Sequence, residues 1–183
     1  MEGVNARIFV AVPLTEEARI VLSGILEGLD MPGTVVPPSN WHITLRFIGR
    51  TDDVAFDRLL ASLDEADLGR AFDLELDGMG AFPRPKGATV LWLGVDRGRA
   101  RLEDLAVEVE DAVQAAGFEA EDRPFRAHLT LSRVRPPVDV TGLIDSFPRA
   151  GLGWRCASIV VYRSHLGRGP ARYEPLETFK LVG

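Results

Sequence analysis

The sequence predicts an α+β domain built as two similar lobes with a cleft between them. Short β-branched runs alternate with amphipathic helical runs, and the element order of the second half repeats that of the first in outline. A tetrapeptide, His-x-Thr-Leu, also occurs once in each half, as HITL at 42–45 and HLTL at 128–131, in a chain with only three histidines. An internal repeat is recognised by corresponding elements in corresponding order. At 183 residues with 46% hydrophobic content, the chain is long enough to bury a core as one bilobal domain spanning 1–183.

RIFVAVPL (7–14) is β-branched and aromatic and closes at Pro13, which predicts a buried strand. TEEARIVLSGILEGL (15–29) follows as a helix packed on it, with Thr15 as N-cap, acids in the first turn and apolar residues at helical spacing. MPGTVVPPSN (31–40) is dense in turn formers and reads as a loop. WHITLRFIG (41–49) then alternates as a strand, and DDVAFDRLLASLDEA as a second amphipathic helix. FDLELDGMGAF (72–82) and ATVLWLGV (88–95) are strands joined through PRPKG. RARLEDLAVEVEDAVQAAGF (99–118) is the strongest helix, stopping at Gly117. EAEDRPFRA leads into HLTLSRV; 139–147 suits a short helix; and CASIVVYRSHLG (156–167) and RYEPLETFKLVG (172–183) form a terminal strand pair across RGPA.

A net charge of −6 and a pI near 5.1 argue against binding nucleic acid through a broad basic face, which must displace counterions from many phosphates. A local basic cleft remains compatible. Arginine supplies 19 of the 21 basic residues, and a guanidinium grips phosphate through a planar fork. The single cysteine, Cys156, forms no internal disulfide and has no thiol neighbour for a zinc site; it reads as a small buried hydrophobe. The N-terminal apolar run is too short for a signal peptide and no stretch approaches a membrane span, so a soluble cytoplasmic protein without an obligate protein partner is expected.

Successive strand side chains point to opposite faces, so His42 and Thr44 share one face and Ile43 and Leu45 the other; His128 and Thr130 repeat this against Leu129 and Leu131. Two of three histidines both followed by Thr-Leu would arise by chance roughly once in ten thousand chains. Two histidines and two hydroxyls around one cleft suit in-line displacement at phosphorus, where one imidazole takes a proton from water and the other gives one to the leaving oxygen. Histidine alone has an unperturbed pKa that gives it both protonation states near neutrality. No metal is expected, since neither histidine has a second ligand at strand or helix spacing and HExxH and CxxC patterns are absent. Phosphate-loop, dinucleotide and GxSxG signatures are missing as well.

These residues resemble the two-histidine (2H) phosphoesterase superfamily, and within it the RNA 2′,3′-cyclic phosphodiesterase (2′-5′ RNA ligase) family. The likeness runs through RIFVAVPL, PPSNWHITLRFIG, GAFPRP, VLWLGV, RPFRAHLTLSRV, VYRSHLG and ARYEPL. It implies two lobes, each an antiparallel sheet with helices on its outer face, and hydrolysis of an RNA 2′,3′-cyclic phosphate end to a 2′-phosphate without metal or cofactor. His42 would be the proton donor and His128 the proton acceptor, with Thr44 and Thr130 binding phosphate; the reverse reaction would be 2′-5′ ligation. A non-catalytic RNA-binding module and a phosphodiesterase for a small cyclic nucleotide stand as alternatives.

Strand alternation places Arg46, four residues after His42, on the His42 face, and makes it the candidate phosphate contact. Ser132 is its counterpart after His128, and Arg133 is expected to point the other way. Arg126 and Arg163 are weaker candidates. His165 reads as a surface or structural residue and Trp41 and Trp92 as core; that Phe82 and Arg84 reach the cleft is suggested only by the resemblance.

Overall fold

The computed structural model describes residues 6–167 and 171–183. The strands are β1 (Ala6–Pro13), β2 (Thr34–Val35), β3 (His42–Thr51), β4 (Phe72–Phe82), β5 (Ala88–Val95), β6 (His128–Val138), β7 (Leu152–Cys156), β8 (Ser158–His165) and β9 (Arg172–Lys180). Four helices interleave with them: α1 (Glu16–Leu26), α2 (Asp53–Glu65), α3 (Arg99–Ala115) and α4 (Thr141–Ser146). The strands form two antiparallel sheets, one ordered β3-β1-β8-β9 and the other β2-β6-β5-β4-β7.

The lobes do not coincide with the halves of the chain. The motif strand β3 pairs with β1 of its own half, whereas β6 pairs with β5, the strand that closes the first half. β8 of the second half lies beside β1, and β4, also of the first half, lies beside β5. The chain crosses between sheets at Ala157, from β7 on one to β8 on the other. The two halves thus exchange strands reciprocally, which ties the lobes together.

Local chemistry sets the helix ends. Thr15 accepts from the Ala18 amide to start α1, and Asp52 accepts from the Ala55 amide to start α2. Helix α1 stops at Leu26, short of the expected 29, because the chain turns through Gly28 at φ 79°. It runs beside β7 of the other sheet, with Ala18 and Leu22 buried in the same core as Val10 and Val12 of β1. Gly117, at φ 93°, follows the end of α3 as expected.

The core is continuous across both sheets. Ile8, Val10 and Val12 of β1, Ile43 of β3, Leu59 and Leu63 of α2, Leu102, Leu105 and Val109 of α3, and Leu129 and Leu131 of β6 are all buried in it. Cys156 is buried as expected, and burial pushes its thiol up to about 12.

Two short strands escaped the sequence reading. β2 lies in the Pro-rich stretch taken as loop and pairs with Ser132 and Arg133 on the free edge of β6. A Cβ on Gly33 would sit 2.3 Å from the Arg133 carbonyl oxygen, so only glycine lets the stretch approach that edge. β7, from GLGWRC, extends the sheet beyond β4. Of the expected RGPA connection, residues 168–170 fall outside the described residues.

Candidate active site

Both motif strands start at their histidine and are held identically there. His42 Nδ1 lies 2.8 Å from the Asn40 carbonyl oxygen and His128 Nδ1 lies 2.6 Å from the Arg126 carbonyl oxygen, in each case the residue two positions back. A carbonyl only accepts, so each Nδ1 carries the proton and donates it. That choice of tautomer leaves each Nε2 as the reactive nitrogen. His42 Nε2 lies 2.9 Å from Thr44 Oγ1. Asn40 is itself anchored, its side-chain amide donating to the Ala171 carbonyl at 2.5 Å.

β3 and β6 approach each other across the lobes. Between them lies a cavity of about 400 Å³, whose lining includes Thr44, Phe47, Phe82, Phe125, Arg126 and His128. Thr130 stands opposite Trp92 on the same face of β6 as His128. The structure therefore brings Thr44 and His128 to the lining of one cavity, with His42 hydrogen-bonded to Thr44 and Thr130 on the His128 face of β6.

A β-bulge of the same design follows each threonine. Opposite β1, Thr44 pairs with Ala11 but Arg46 with Val10; opposite β5, Thr130 pairs with Trp92 but Ser132 with Leu91. One extra residue, Leu45 or Leu131, is accommodated in each motif strand, and the alternation shifts by one. This corrects the expectation for Arg46. It is set opposite Val10, a residue of the core face, and although it borders the cavity its guanidinium is fully engaged. Nε donates to Glu110 of α3 at 2.5 Å, a second nitrogen to the Phe47 carbonyl near Glu121, and the third to the Glu119 carbonyl. Its counterpart Ser132 is completely buried and donates from Oγ to the Pro32 carbonyl. The residues four positions after the histidines are thus braces.

The bulges deliver the next residues, Phe47 and Arg133, to the cleft face. Phe47 pairs with Phe9 and is 54% exposed. Arg133 was expected to point away; instead its charge lies close enough to both imidazoles to lower the pKa of each. Its exposed side chain makes no hydrogen bond or ion pair with another described residue. Arg133 is the functional candidate that strict alternation missed.

The walls differ on the two sides. Phe9, at 4.9 Å between ring centroids, and Tyr173, at 5.2 Å, enclose His42, and Phe82 at 5.1 Å packs edge-on against His128. Trp92, expected in the core, is half-buried on the cleft face against Phe82. A Cβ on Gly80 would meet its ring at 2.3 Å, so that glycine makes the space for Trp92. Arg126 borders the cavity with its guanidinium 5.6 Å from the Phe82 ring centre. Arg163 stands opposite Ile8 of the core face and pairs with Glu174, which also binds His165 at 2.7 Å near the surface.

Desolvation is the largest influence on both imidazoles. It pushes His42 down to about 4, against the opposing hydrogen bond to Asn40 and with help from the charges of His128 and Arg133. His128 is lowered by burial and then by Arg133 and Arg126, against its hydrogen bond to the Arg126 carbonyl. A base whose folded pKa lies below its unfolded one leaves the unfolded state holding more protons in between. Stability contributed through His42 is therefore lost as pH falls from 6.5 through about 4. The loss reaches at most about 3 kcal/mol. Urea unfolding at pH 7 and pH 4.5 should show a smaller drop for His42→Asn than for the parent chain.

Among the described residues, no group of three or more His, Cys, Asp or Glu side chains is placed to hold a metal ion. No described helix is long and apolar enough to cross a membrane.

Two interlocked antiparallel sheets presenting a His-x-Thr pair each to one cleft define a two-histidine phosphoesterase. Residues 12–92 and 93–173 each match the model of the LigT-like phosphoesterase family, once per half. The chain belongs to that family. It is 36% identical over 150 residues to the RNA 2′,3′-cyclic phosphodiesterase of Archaeoglobus fulgidus, covering 80% of this chain and 84% of the relative. To the Escherichia coli RNA 2′,3′-cyclic phosphodiesterase it is 29% identical over 180 residues, covering 96% and 97%. The crystal structure of E. coli LigT complexed with 3′-AMP superimposes with a TM-score of 0.82 at 25% identity, over all of both chains.

Proposed function

We propose that this chain, working as one bilobal unit, hydrolyses the 2′,3′-cyclic phosphate end of RNA to a 2′-phosphate. The family and the names of its relatives support 2′,3′-cyclic phosphodiesterase activity. The observation that carries the reaction is the matched pair of imidazoles, each with Nδ1 committed to a backbone carbonyl and Nε2 left for chemistry.

In this reading the cyclic phosphate lies between the motifs. His128 Nε2 takes a proton from water as its oxygen bonds to phosphorus, the P–O3′ bond breaks, and His42 Nε2–H gives its proton to the departing O3′. Thr44 and Thr130 hydroxyls donate to non-bridging oxygens. Arg133, with no hydrogen-bond or ion-pair partner among the described residues, neutralises the charge that develops there. Phe47 offers an exposed ring face on which a base can stack. His42 must be protonated to act; the anionic substrate beside it raises its pKa from the low value of the empty cleft. The groups that run hydrolysis would also run its reverse, with a 5′-hydroxyl in place of water and a 2′-5′ linkage as product. No step calls on a metal, and a cytoplasmic setting suits an RNA-end substrate and a lone thiol.

The test is to incubate the protein with a cyclic-phosphate-ended oligonucleotide in chelator and identify the end formed. A 2′-phosphate is expected. A 3′-phosphate would reverse the leaving group, and turnover that appears only on adding a divalent ion would overturn the metal-free account.

A further inference from the structure

The polar and aromatic face that begins at His42 does not end at the catalytic cleft. Along β1 it continues through Ala11 and Phe9 to Arg7, and along β3 through Thr44 and Phe47 to Arg50. A second register shift, after Phe47, keeps Arg50 on this face, directly opposite Arg7. Ser164 of β8 stands beside Arg7, and Tyr173 of β9 beside Ser164. These residues line a second cavity of about 310 Å³, which shares Phe47 with the catalytic cavity and includes Phe9, Tyr173, Arg7 and Arg50 in its walls.

The arginine pair is unexpected for a fold on its own account. Like charges directly opposite on neighbouring strands are destabilising. Both side chains are exposed, and neither makes a hydrogen bond or ion pair with another described residue. Among the described residues no acidic side chain lines the cavity, in a chain whose formal net charge is −6. Aromatic rings followed by unpaired guanidiniums are what a single nucleic-acid strand requires, rings for bases and cations for the backbone. From Ala11, level with Thr44, to Arg7 is four residues, roughly 13 Å of strand. That span places the arginines beyond a terminal nucleotide and within reach of the backbone leading to it.

We infer that the cavity bounded by Arg7, Arg50, Phe9, Phe47 and Tyr173 is a subsite for the RNA strand on the 5′ side of the reacting end, with the two arginines gripping internucleotide phosphate. The inference rests on the hydrolytic reading of the cleft and adds to it a preference for an RNA end over a free cyclic nucleotide.

The experiment compares kcat/KM on 2′,3′-cyclic AMP with that on a cyclic-phosphate-ended tetranucleotide, for the parent chain and the double variant Arg7→Ala/Arg50→Ala. The parent should favour the tetranucleotide. The double variant should lose on the order of tenfold on the tetranucleotide alone, and the slope of log KM against log salt should fall by about 1.4, the value for two phosphate contacts on a single strand. Undiminished hydrolysis of cyclic AMP shows that the variant is folded and its chemistry intact. An equal loss on both substrates, or an unchanged tetranucleotide rate and salt slope, would overturn the subsite while leaving the catalytic reading in place. A parent chain inactive on both would overturn the catalytic reading, and the subsite with it.

Discussion

His42→Ala and His128→Ala will each lower kcat/KM on a cyclic-phosphate-ended oligonucleotide by on the order of 10²–10⁴-fold, the range removed with a positioned general acid or base. The losses will not add: the double variant should be little slower than the worse single one, because the two imidazoles serve one displacement. Each ring is held by one backbone hydrogen bond and by aromatic neighbours, so replacing it should leave the fold in place. Circular dichroism and the unfolding midpoint check that. Activity within a few-fold of the parent chain for either variant would remove that histidine from the mechanism.

Arg133→Ala carries the second large effect, a loss on the order of 10²–10³-fold, comparable to removing one preorganised donor to a developing oxyanion. It has a signature that a structural residue lacks. The Arg133 charge depresses both His42 and His128, so its removal lets both pKa values rise. The kcat/KM profile of the variant should therefore move to higher pH on both limbs. Arg133→Lys should restore part of the shift, since the charge returns, but less of the rate, since the planar fork does not. Arg46→Ala makes the contrast. It strips Glu110 of its cation, while Glu121 keeps Arg123, and should cost about 1–3 kcal/mol of stability. Its pH profile should stay where it was.

The contrast between Arg46 and Arg133 marks where sequence reading stopped. The repeated His-x-Thr-Leu, the strand character of both motifs and the main helices were legible, because periodicity and capping are local properties. The bulges were legible only in hindsight. Ile43, Leu45 and Ile48 are spaced two and then three apart, and so are Leu129, Leu131 and Val134. That shared change of spacing is the trace of an extra residue, and strict alternation passes over it. The consequence is a one-residue shift that exchanges a brace for a cleft residue in both lobes. The strand exchange between halves was not legible at all. Nothing local distinguishes a β4 that pairs with β5 and β7 from one that would stay with β3, because that choice is made by long-range packing. β2 was hidden for a similar reason: its pairing depends on Gly33 approaching the β6 edge.

The division of labour between the two histidines is the central claim, and a substrate whose leaving group needs no proton tests it most directly. Replacing the 3′-oxygen of the cyclic end by sulfur gives a leaving group that departs as the anion, so a general acid becomes dispensable while a general base does not. On that substrate His42→Ala should recover most of the rate it loses on the oxygen compound, and His128→Ala should stay inactive. Recovery by His128→Ala, or equal recovery by both variants, would contradict the assignment of His42 as acid and His128 as base.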